Sequence, residues 1–463
     1  MSRHRPTPAF TVLIAGLSIF GAKPAAFGQV VDYYYPVVES GDPVPGGSGA
    51  FASFDGVILH GDRVIFRATS TLPQESGVFW VGPGSGPHLV ADLTTAVPGG
   101  DSGSFSEFQD LSGIVAPSES VAFGGLGSQG EFGIYAAPVL LPGPINNVVD
   151  HNTMIPPNNG GFLAFESLSL LAGRVAFLGA GSIPQNTGLY VAGVEPPPPL
   201  QNQGALLRIA DLTTPVPGGN GGTFTEFGEL TGIVAPSESV AFGGLGSQGE
   251  VGVYHVRLDQ PANIAVLADQ NTPIPGSNGS LSSIVAVDLD VNQAVLYALA
   301  TIDEDTGIYA AGVEPPPPLG GAAGAGPSLR LIANKTTPVP GGAGPFAGFG
   351  EVAAAEGRAA FVGVDGQGQR GIYGEIAGVL REVVAAGDVL PPSRRARNGV
   401  EDLAGGGTVA DVAMTDEAMD GADLAVLVRF SDQSEAIYLI DVTGIFADGF
   451  ESGDTAAWSG TVP

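Results

Sequence analysis

Cysteine is absent from the 463-residue chain, while histidine occurs five times and tryptophan twice. Disulfides, thiolate metal sites, iron–sulfur clusters and cysteine nucleophiles are therefore excluded. The sequence also lacks a Gly-x-Ser-x-Gly nucleophile elbow and a Gly-rich loop ending in Gly-Lys-Ser/Thr. The histidines beyond residue 28 follow no zinc-binding spacing and are interpreted as scattered side chains: His60, His88, His151 and His255.

Positive charge is scarce along the whole chain. Lysine and arginine together number 17 against 47 aspartates and glutamates, which gives a formal net charge of −30. Such a balance favours solubility and repels nucleic acid and anionic membranes. The one basic cluster, Arg394-Arg395-Ala396-Arg397, is interpreted as a solvated loop.

Long apolar runs are confined to the N-terminal region. Arg3 and Arg5 precede the apolar stretch Phe10–Ala22, and Ala26-Phe27-Gly28 supplies small residues for cleavage. This pattern predicts a secretory signal peptide over residues 1–28, and hence a secreted or cell-surface protein. No later run reaches about 18 apolar residues, so no transmembrane segment is expected after signal removal.

Repetition is the feature that the chain has in abundance. A phrase resembling Val-Ala-Asp-x-x-Thr-x-Val-Pro-Gly, followed by Phe-x-x-Phe, Val-Ala-Phe and Gly-Ile-Tyr, recurs seven times. Its proline step falls at Pro45, Pro98, Pro156, Pro217, Pro275, Pro340 and Pro391. Its closing aromatic residue is Phe79 in the first copy, and then Tyr135, Tyr190, Tyr254, Tyr309, Tyr373 and Tyr438. A repeat of this length indicates one supersecondary unit per copy.

Each copy predicts four short β-strands separated by Gly/Pro turns, as the segment Leu206–Tyr254 illustrates. A four-stranded sheet cannot bury both of its faces alone, so the copies must stack against one another. We therefore predict an all-β fold, a seven-bladed β-propeller of four-stranded blades over residues 29–442. Residues 443–463 are left as a C-terminal tail.

Two predictions concern the pairing of strands. Only Ala377-Gly378 separates one Gly-Ile-Tyr strand from the following Val-Ala-Asp-type strand, so these two strands should form a hairpin. The last such strand, Ala436–Asp441, has no follower, and the first, Tyr34–Glu39, has no predecessor. The ring is therefore predicted to close by pairing the N- and C-terminal strands. Gly113–Glu131 recurs unchanged as Gly232–Glu250, which indicates that a block of two blades was duplicated.

The recurring polar signature is an acid six residues before the proline, as at Asp92, Asp150, Asp211 and Asp269. In a structural interpretation, each carboxylate caps its loop by accepting backbone N–H groups. In a functional interpretation, a circle of carboxylates on one face binds Ca²⁺ or another hard cation, and Ca²⁺ is the cofactor that the sequence suggests. The loops Gly124–Gly130 and Gly243–Gly249 are interpreted as tight turns.

The repeats resemble a family of exported bacterial tandem-repeat proteins of undescribed function. The likeness is carried by Gly173-Arg174-Val175-Ala176-Phe177 with Gly188-Leu189-Tyr190, and by their counterparts in the other copies. Residues Phe446 to Thr455, with Trp458-Ser459, resemble a short tail found at the end of many secreted bacterial proteins. This resemblance implies a β-propeller-like fold and a bacterial source, and it brings no catalytic residues.

Together these observations predict a non-enzymatic binding or interaction scaffold, with an extracellular glycan or protein as partner and a monomeric state. The ligand would bind the face that carries the Asp-x-x-Thr loops, or the mouth of the central channel. A secreted polysaccharide hydrolase or lyase that uses channel-lining carboxylates is the alternative. A calcium-stabilised structural protein is a further alternative.

Overall fold

Antiparallel β-strands form nearly all of the regular structure in the computed structural model of the protein. The described residues are 34–100, 103–115, 119–139, 143–156, 160–171, 173–194, 206–233, 238–290, 293–312, 328–376, 378–390, 393–397, 400–404 and 407–442. The chain divides into two units, Met1–Asp32 and Tyr33–Pro463, and all described residues belong to the second. The predicted signal peptide (1–28), the predicted tail (443–463) and Pro391 lie outside the described residues.

The strands follow the sequence repeat. In the first half they are β1 (Tyr34–Glu39), β2 (Phe51–His60), β3 (Arg63–Ser70), β4 (Gly77–Val81), β5 (His88–Asp92), β6 (Phe105–Val115), β7 (Ser120–Gly127), β8 (Phe132–Pro138), β9 (Asn146–Asp150), β10 (Phe162–Leu171), β11 (Arg174–Gly181), β12 (Gly188–Gly193), β13 (Leu207–Asp211), β14 (Phe224–Ile233), β15 (Ser239–Gly246) and β16 (Val251–Arg257). In the second half they are β17 (Ile264–Asp269), β18 (Leu281–Leu289), β19 (Gln293–Ala300), β20 (Gly307–Gly312), β21 (Leu329–Asn334), β22 (Gly348–Ala355), β23 (Arg358–Val364), β24 (Arg370–Ile376), β25 (Val379–Ala385), β26 (Val389–Leu390), β27 (Ser393–Arg397), β28 (Val400–Ala404), β29 (Gly407–Ala413), β30 (Met419–Asp420), β31 (Asp423–Phe430) and β32 (Glu435–Asp441). Single 3-10 turns occur at Pro73–Glu75, Pro184–Asn186 and Asp303–Asp305. Among the described residues, no helix is long and apolar enough to cross a membrane.

Seven sheets form the blades, which confirms the predicted seven-bladed propeller. Blades 1 to 6 are β2–β5, β6–β9, β10–β13, β14–β17, β18–β21 and β22–β25, each a four-stranded antiparallel sheet in chain order. The first strands of blades 1 to 6 contact one another in succession around the central channel, and in blade 7 the short strand β30 contacts β2 and β22 instead. The hairpin predicted around Gly378 is confirmed, because β24 pairs with β25 and Ile376 lies opposite Val379.

Blade 7 closes the ring with strands from both ends of the described chain. Its order is β29–β31–β32–β1, and the short strands β26 and β30 extend the sheet. Within it, Tyr34–Glu39 pairs with β32 in antiparallel register, with Glu39 opposite Ala436. The predicted pairing of the N- and C-terminal strands is thereby confirmed. The hydroxyl of Tyr34 also donates to the carbonyl of Val383 in blade 6 at 2.6 Å.

The core lies between neighbouring blades and is built from the repeated aromatic residues. The closing aromatic on the third strand of each blade is almost fully buried, from Phe79 to Tyr438. In blades 1 to 4 this ring meets the first phenylalanine of the inner strand edge to face, and in blade 6 it meets Phe346, which lies just before the inner strand β22. The Phe162–Tyr190 pair, for example, has centroids 5.1 Å apart and an interplanar angle of 89°. Such edge-to-face pairs contribute about 1 kcal/mol beyond the area that they bury.

The Val-Pro-Gly step forms a type II turn between consecutive blades. In the second copy, Pro98 occupies the second position, Gly99 follows with φ of +73°, and the Gly100 N–H donates to the Val97 carbonyl at 3.2 Å. Proline favours the negative φ of that position and glycine the positive φ of the next. The same geometry recurs in the copies that contain Pro45, Pro217, Pro275 and Pro340.

Two local predictions require correction. Gly124–Gly127 belong to β7, and Gly243–Gly246 belong to β15, so only the ends of those glycine-rich segments form the turns. The basic cluster is a strand and not a loop, because β27 pairs with β28 in a separate hairpin with Arg395 opposite Asp402. Residues typical of turns flank this short strand, Pro391-Pro392 before it and Asn398-Gly399 after it, so the sequence indicates a loop there.

Candidate functional site: the central channel

The four acids considered as metal ligands each form a turn in their own blade. At Asp269, Oδ1 accepts the Asn271 N–H at 2.9 Å and the Thr272 hydroxyl at 2.9 Å, and the Thr272 Oγ1 accepts the Asp269 N–H. Asp92, Asp150 and Asp211 make the corresponding bonds. Within the described part of the chain, no three His, Cys, Asp or Glu side chains are grouped so that they could hold a metal ion.

The copies in which this residue is not an aspartate keep the bond from its backbone N–H to the side chain three residues later, and Asn334 in the sixth copy keeps the side-chain bonds as well. In the seventh copy Ala385 replaces it, and its N–H donates instead to Asp388 Oδ2 at 2.8 Å. In the first copy the Glu39 N–H donates to Asp42 Oδ2 at 3.1 Å. An acceptor three residues after the strand end therefore recurs in all seven copies. These hydrogen bonds explain why an acid recurs at this position, because its carboxylate accepts the bonds that form the turn.

Replacing Asp269 by alanine is expected to lower the free energy of unfolding by about 1–2 kcal/mol, because two turn hydrogen bonds to a carboxylate are lost. Chemical unfolding of the variant measures this loss. The calcium interpretation makes a different prediction: the melting temperature of the unsubstituted protein rises strongly on adding CaCl₂ and falls with chelator. An unchanged melting temperature would leave the turn as the role of these acids.

A short segment of blade 7 crosses the floor of the channel. Met414–Ala418, here called the strap, connects β29 to β30 and bonds to blades that are distant along the chain. The Leu59 N–H of blade 1 donates to the Glu417 carbonyl at 2.8 Å. The Glu417 carboxylate accepts Ser112 Oγ at 2.7 Å and the Gly113 N–H at 2.5 Å from blade 2, and Ser169 Oγ at 3.2 Å from blade 3.

Glu417, Ser112 and Ser169 belong to a set of buried polar groups at one level of the inner strands, here called the polar belt. Its other members are Thr231, Asp288 and the Ala354 N–H in blades 4 to 6. There the buried Asp288 accepts the Thr231 hydroxyl at 2.8 Å and the Ala354 N–H at 2.7 Å. Ser169 and Asp288 occupy equivalent positions on the inner strands of blades 3 and 5, opposite Ala176 and Val295 of the second strands. Serine has no carboxylate. Glu417 supplies that carboxylate from the strap. Buried polar groups that are bonded in this way favour one arrangement of the blades.

Carboxylates from three other blades face the channel above the strap. Asp110, Glu229 and Glu351 occupy β-bulges at the same level of the inner strands of blades 2, 4 and 6. Asp110 accepts the Ser167 N–H at 3.1 Å, and Glu351 lies 3.6 Å from Arg370. Glu229 is exposed to solvent within the channel. These four acids, Asp110, Glu229, Glu351 and the strap residue Asp416, are here called the channel acids.

The channel acids perturb one another electrostatically. Glu229 remains accessible to solvent, but the protein atoms around it in the channel partly desolvate its carboxylate and raise its pKa to about 7. The charges of Asp416, Asp110 and Glu351 add to that rise. Burial likewise raises the pKa of Asp416, against the backbone N–H groups that lower it. Burial and the charge of Asp416 together raise the pKa of Glu417. A cluster of perturbed carboxyls in a concave site is a candidate functional site.

The strap enters at the end of the channel where first strands turn into second strands, since it bonds to Leu59 near the end of β2. The Asp-x-x-Thr loops lead into the opposite ends of the inner strands. The channel acids are thus approached from the face with those loops, which is the face suggested by the sequence. The histidines lie in separate places: His88 stacks on Trp80 with centroids 4.4 Å apart, and His151 packs against Phe132.

A family model describes most of the chain. Residues 27–443 match the family of unknown function DUF7453. The chain belongs to this family. The predicted membership of a repeat family of undescribed function is confirmed to that extent, while the bacterial source, the signal peptide and the tail stay predictions. No curated protein sequence matches the chain.

Solved structures resemble the chain in fold at low sequence identity. The β-propeller domain of the Trilobed protease from Pyrococcus furiosus matches with a TM-score of 0.48 and 10% identity, over 84% of this chain and 96% of that one. A lectin from Burkholderia pseudomallei matches with a TM-score of 0.42 and 12% identity, over 84% of this chain and 95% of that one. A prolyl endopeptidase matches with a TM-score of 0.48 and 11% identity over 84% of this chain, which spans 47% of the enzyme's length. These likenesses concern the fold alone.

Proposed function

We propose that this protein is an exported, non-enzymatic binding module whose channel receives a positively charged group of its ligand. The observation that carries the proposal is the channel itself, crossed at one end by the strap and lined by carboxylates from three blades. Arg370 beside Glu351 is the one cationic side chain in contact with the channel acids among the described residues. A net charge of −30 adds a long-range field that attracts cations.

Export is part of this proposal and is supported by the sequence of residues 1–28. A secreted or cell-surface binding module meets extracellular glycans, peptides and small amines. Among these, ligands with amino or guanidino groups match the chemistry of the channel acids, because each such group can donate several hydrogen bonds to carboxylates.

Calorimetric titration with spermidine at low ionic strength tests the proposed site. The unsubstituted protein is expected to bind, and binding should weaken as NaCl rises from about 20 mM to about 200 mM because salt screens the charges. Glu229→Gln should weaken binding about fivefold or more, since one charge contact is lost. Glu304→Gln is the matched control, because it removes the same charge from an exposed 3-10 turn outside the channel. Equal effects of the two variants would contradict a site in the channel.

One observation favours glycoside hydrolysis as a second candidate. Two carboxyls held at different pKa values form the usual acid and base pair of such enzymes, and Glu229 is accessible with a pKa raised to about 7. A reducing-sugar assay against a panel of polysaccharides distinguishes the candidates. Turnover that is lost in Glu229→Gln while binding persists would establish the enzyme and replace the binding module.

A further inference from the structure

Trp80 in blade 1 departs from the sequence repeat. It follows the closing aromatic Phe79 on β4, and its side chain packs against the apolar cluster between blades 1 and 2. The other six copies place a smaller side chain at this position: Ala136, Val191, His255, Ala310, Gly374 and Leu439. A blade therefore folds without a tryptophan here, and Trp80 is available for another task.

Trp80 and His88 of β5 form a stacked aromatic pair, here called the platform. The two residues lie opposite each other in the strand pairing, and their rings have centroids 4.4 Å apart and an interplanar angle of 18°. His88 is exposed and Trp80 is partly exposed. The platform therefore presents aromatic surface to solvent at the outer part of the cleft between blades 1 and 2.

An ion pair between the two blades lies beside the platform. Arg63, at the start of β3, places its guanidinium carbon 6.0 Å from the centroid of the Trp80 ring. Its Nη1 lies 2.7 Å from Oε2 of Glu119, which directly precedes β7 of blade 2. The side chains of Arg63 and Glu119 are 21% and 26% exposed. Donor, acceptor and aromatic groups therefore meet in one partly open cleft.

The cleft between blades 3 and 4 repeats the ion pair without the platform. Arg174 starts β11 and Glu238 directly precedes β15, and their side chains lie 3.1 Å apart. Val191 and Leu207 hold the two places of the platform in the strand pairing. The ion pair thus helps to join these blades, whereas the platform is an addition to blade 1.

We propose that the cleft between blades 1 and 2 binds a neutral sugar residue, stacked on the platform and hydrogen-bonded to Arg63 and Glu119. The CH groups on the face of a sugar ring carry slight positive charge and pack on the negative face of an aromatic ring. Sugar hydroxyls both donate and accept, so one accepts from the guanidinium while another donates to the carboxylate. The ion pair has no net charge, and the overall charge of −30 repels anions. These properties favour a neutral glycan over an ion.

This site is separate from the proposed cation site. The channel acids lie on the inner strands and on the strap, whereas the platform lies on the two outer strands of blade 1. The inference therefore does not depend on cation binding in the channel, and either proposal can fail without the other.

Intrinsic fluorescence reports on the platform directly, because the chain contains only two tryptophans. Trp458 belongs to the predicted tail, and Trp458→Phe leaves Trp80 as the sole tryptophan of the full chain. This variant is titrated with the methyl glycosides of glucose, galactose, mannose and fucose. At least one of them should change the Trp80 emission in a saturable manner. An emission that none of the four changes would overturn the proposal.

His88→Ala in this background locates the bound sugar. It removes an exposed half of the platform and leaves the buried core intact, so the affinity for the sugar should fall about fivefold or more. Leu207→Ala is the matched control, because Leu207 is exposed at the equivalent position of blade 3. It should change the affinity less than about twofold. Equal affinities of the two variants would place the sugar elsewhere, in the channel for instance, and would overturn the site.

Arg63→Gln tests the polar half of the site. It should weaken sugar binding about tenfold, because the donor beside the platform loses its charge and its fork of N–H groups. Arg174→Gln removes the equivalent ion pair between blades 3 and 4 and controls for any loosening of the ring. Sugar binding that both substitutions weaken alike would contradict a direct contact with Arg63.

Discussion

Replacing Gly188 by alanine should lower the free energy of unfolding by about 3 kcal/mol or more, which is large for the addition of one methyl group. Gly188 opens the Gly-Leu-Tyr step of blade 3, opposite Asp211. The outer strand carries a bulge there and brings its backbone against the glycine. A Cβ at Gly188 would overlap the Ala210 carbonyl oxygen and lie 2.8 Å from the Asp211 Cα. The three nearest atoms all belong to the backbone of the neighbouring strand β13, so no flexible side chain can move aside.

Gly312→Ala is the matched control for this substitution. Gly312 ends the third strand of blade 5, has nothing within 4 Å of an added Cβ, and is exposed. Its replacement should change the free energy of unfolding by less than about 0.5 kcal/mol, or raise it, because alanine reduces the conformational entropy of the unfolded chain. Urea unfolding of both variants measures the difference. Similar stabilities of the two would contradict the steric account of the repeated glycine.

The repeat made the blades predictable because each of its residues has a local task. The glycine admits the bulged outer strand, the tyrosine fills the space between sheets, and Val-Pro-Gly forms the turn to the next blade. The two-residue connection at Gly378 fixed which strands pair, and the unpartnered terminal strands implied the closure. These signals act within one copy or between adjacent copies, so a single sequence reveals them.

The polar belt could not be predicted because its members are remote along the chain. Ser112 and Ser169 lie 305 and 248 residues from Glu417, and nothing in their surroundings marks them as partners of a carboxylate. The channel acids likewise come from different copies at positions where other copies have Gly56, Ser167 or Ala286. One signal was present: β29 and β31 are joined by a longer connection than Gly61-Asp62 between β2 and β3. That departure from the repeat is where the strap arises.

Removal of the closing strand β1 is expected to abolish cooperative folding. A chain that begins at Gly41 lacks Val37 and Val38, which are buried between blades 7 and 1, and leaves the edge of β32 unpaired. A propeller buries its sheets only when the ring is closed, so both neighbouring interfaces are weakened by one deletion. The expected loss is about 5 kcal/mol or more, comparable with the whole stability of many domains.

A chain that begins at Gln29 is the control for this truncation, since it retains β1 and corresponds to the form expected after signal removal. It should unfold in one cooperative transition, followed by far-ultraviolet circular dichroism in urea. A synthetic peptide covering residues 33–40, added to the shorter chain, should restore part of that transition by occupying the vacant edge. If the chain beginning at Gly41 unfolded within about 1 kcal/mol of the control, the terminal pairing would be dispensable, and the other interfaces would have to hold the ring by themselves.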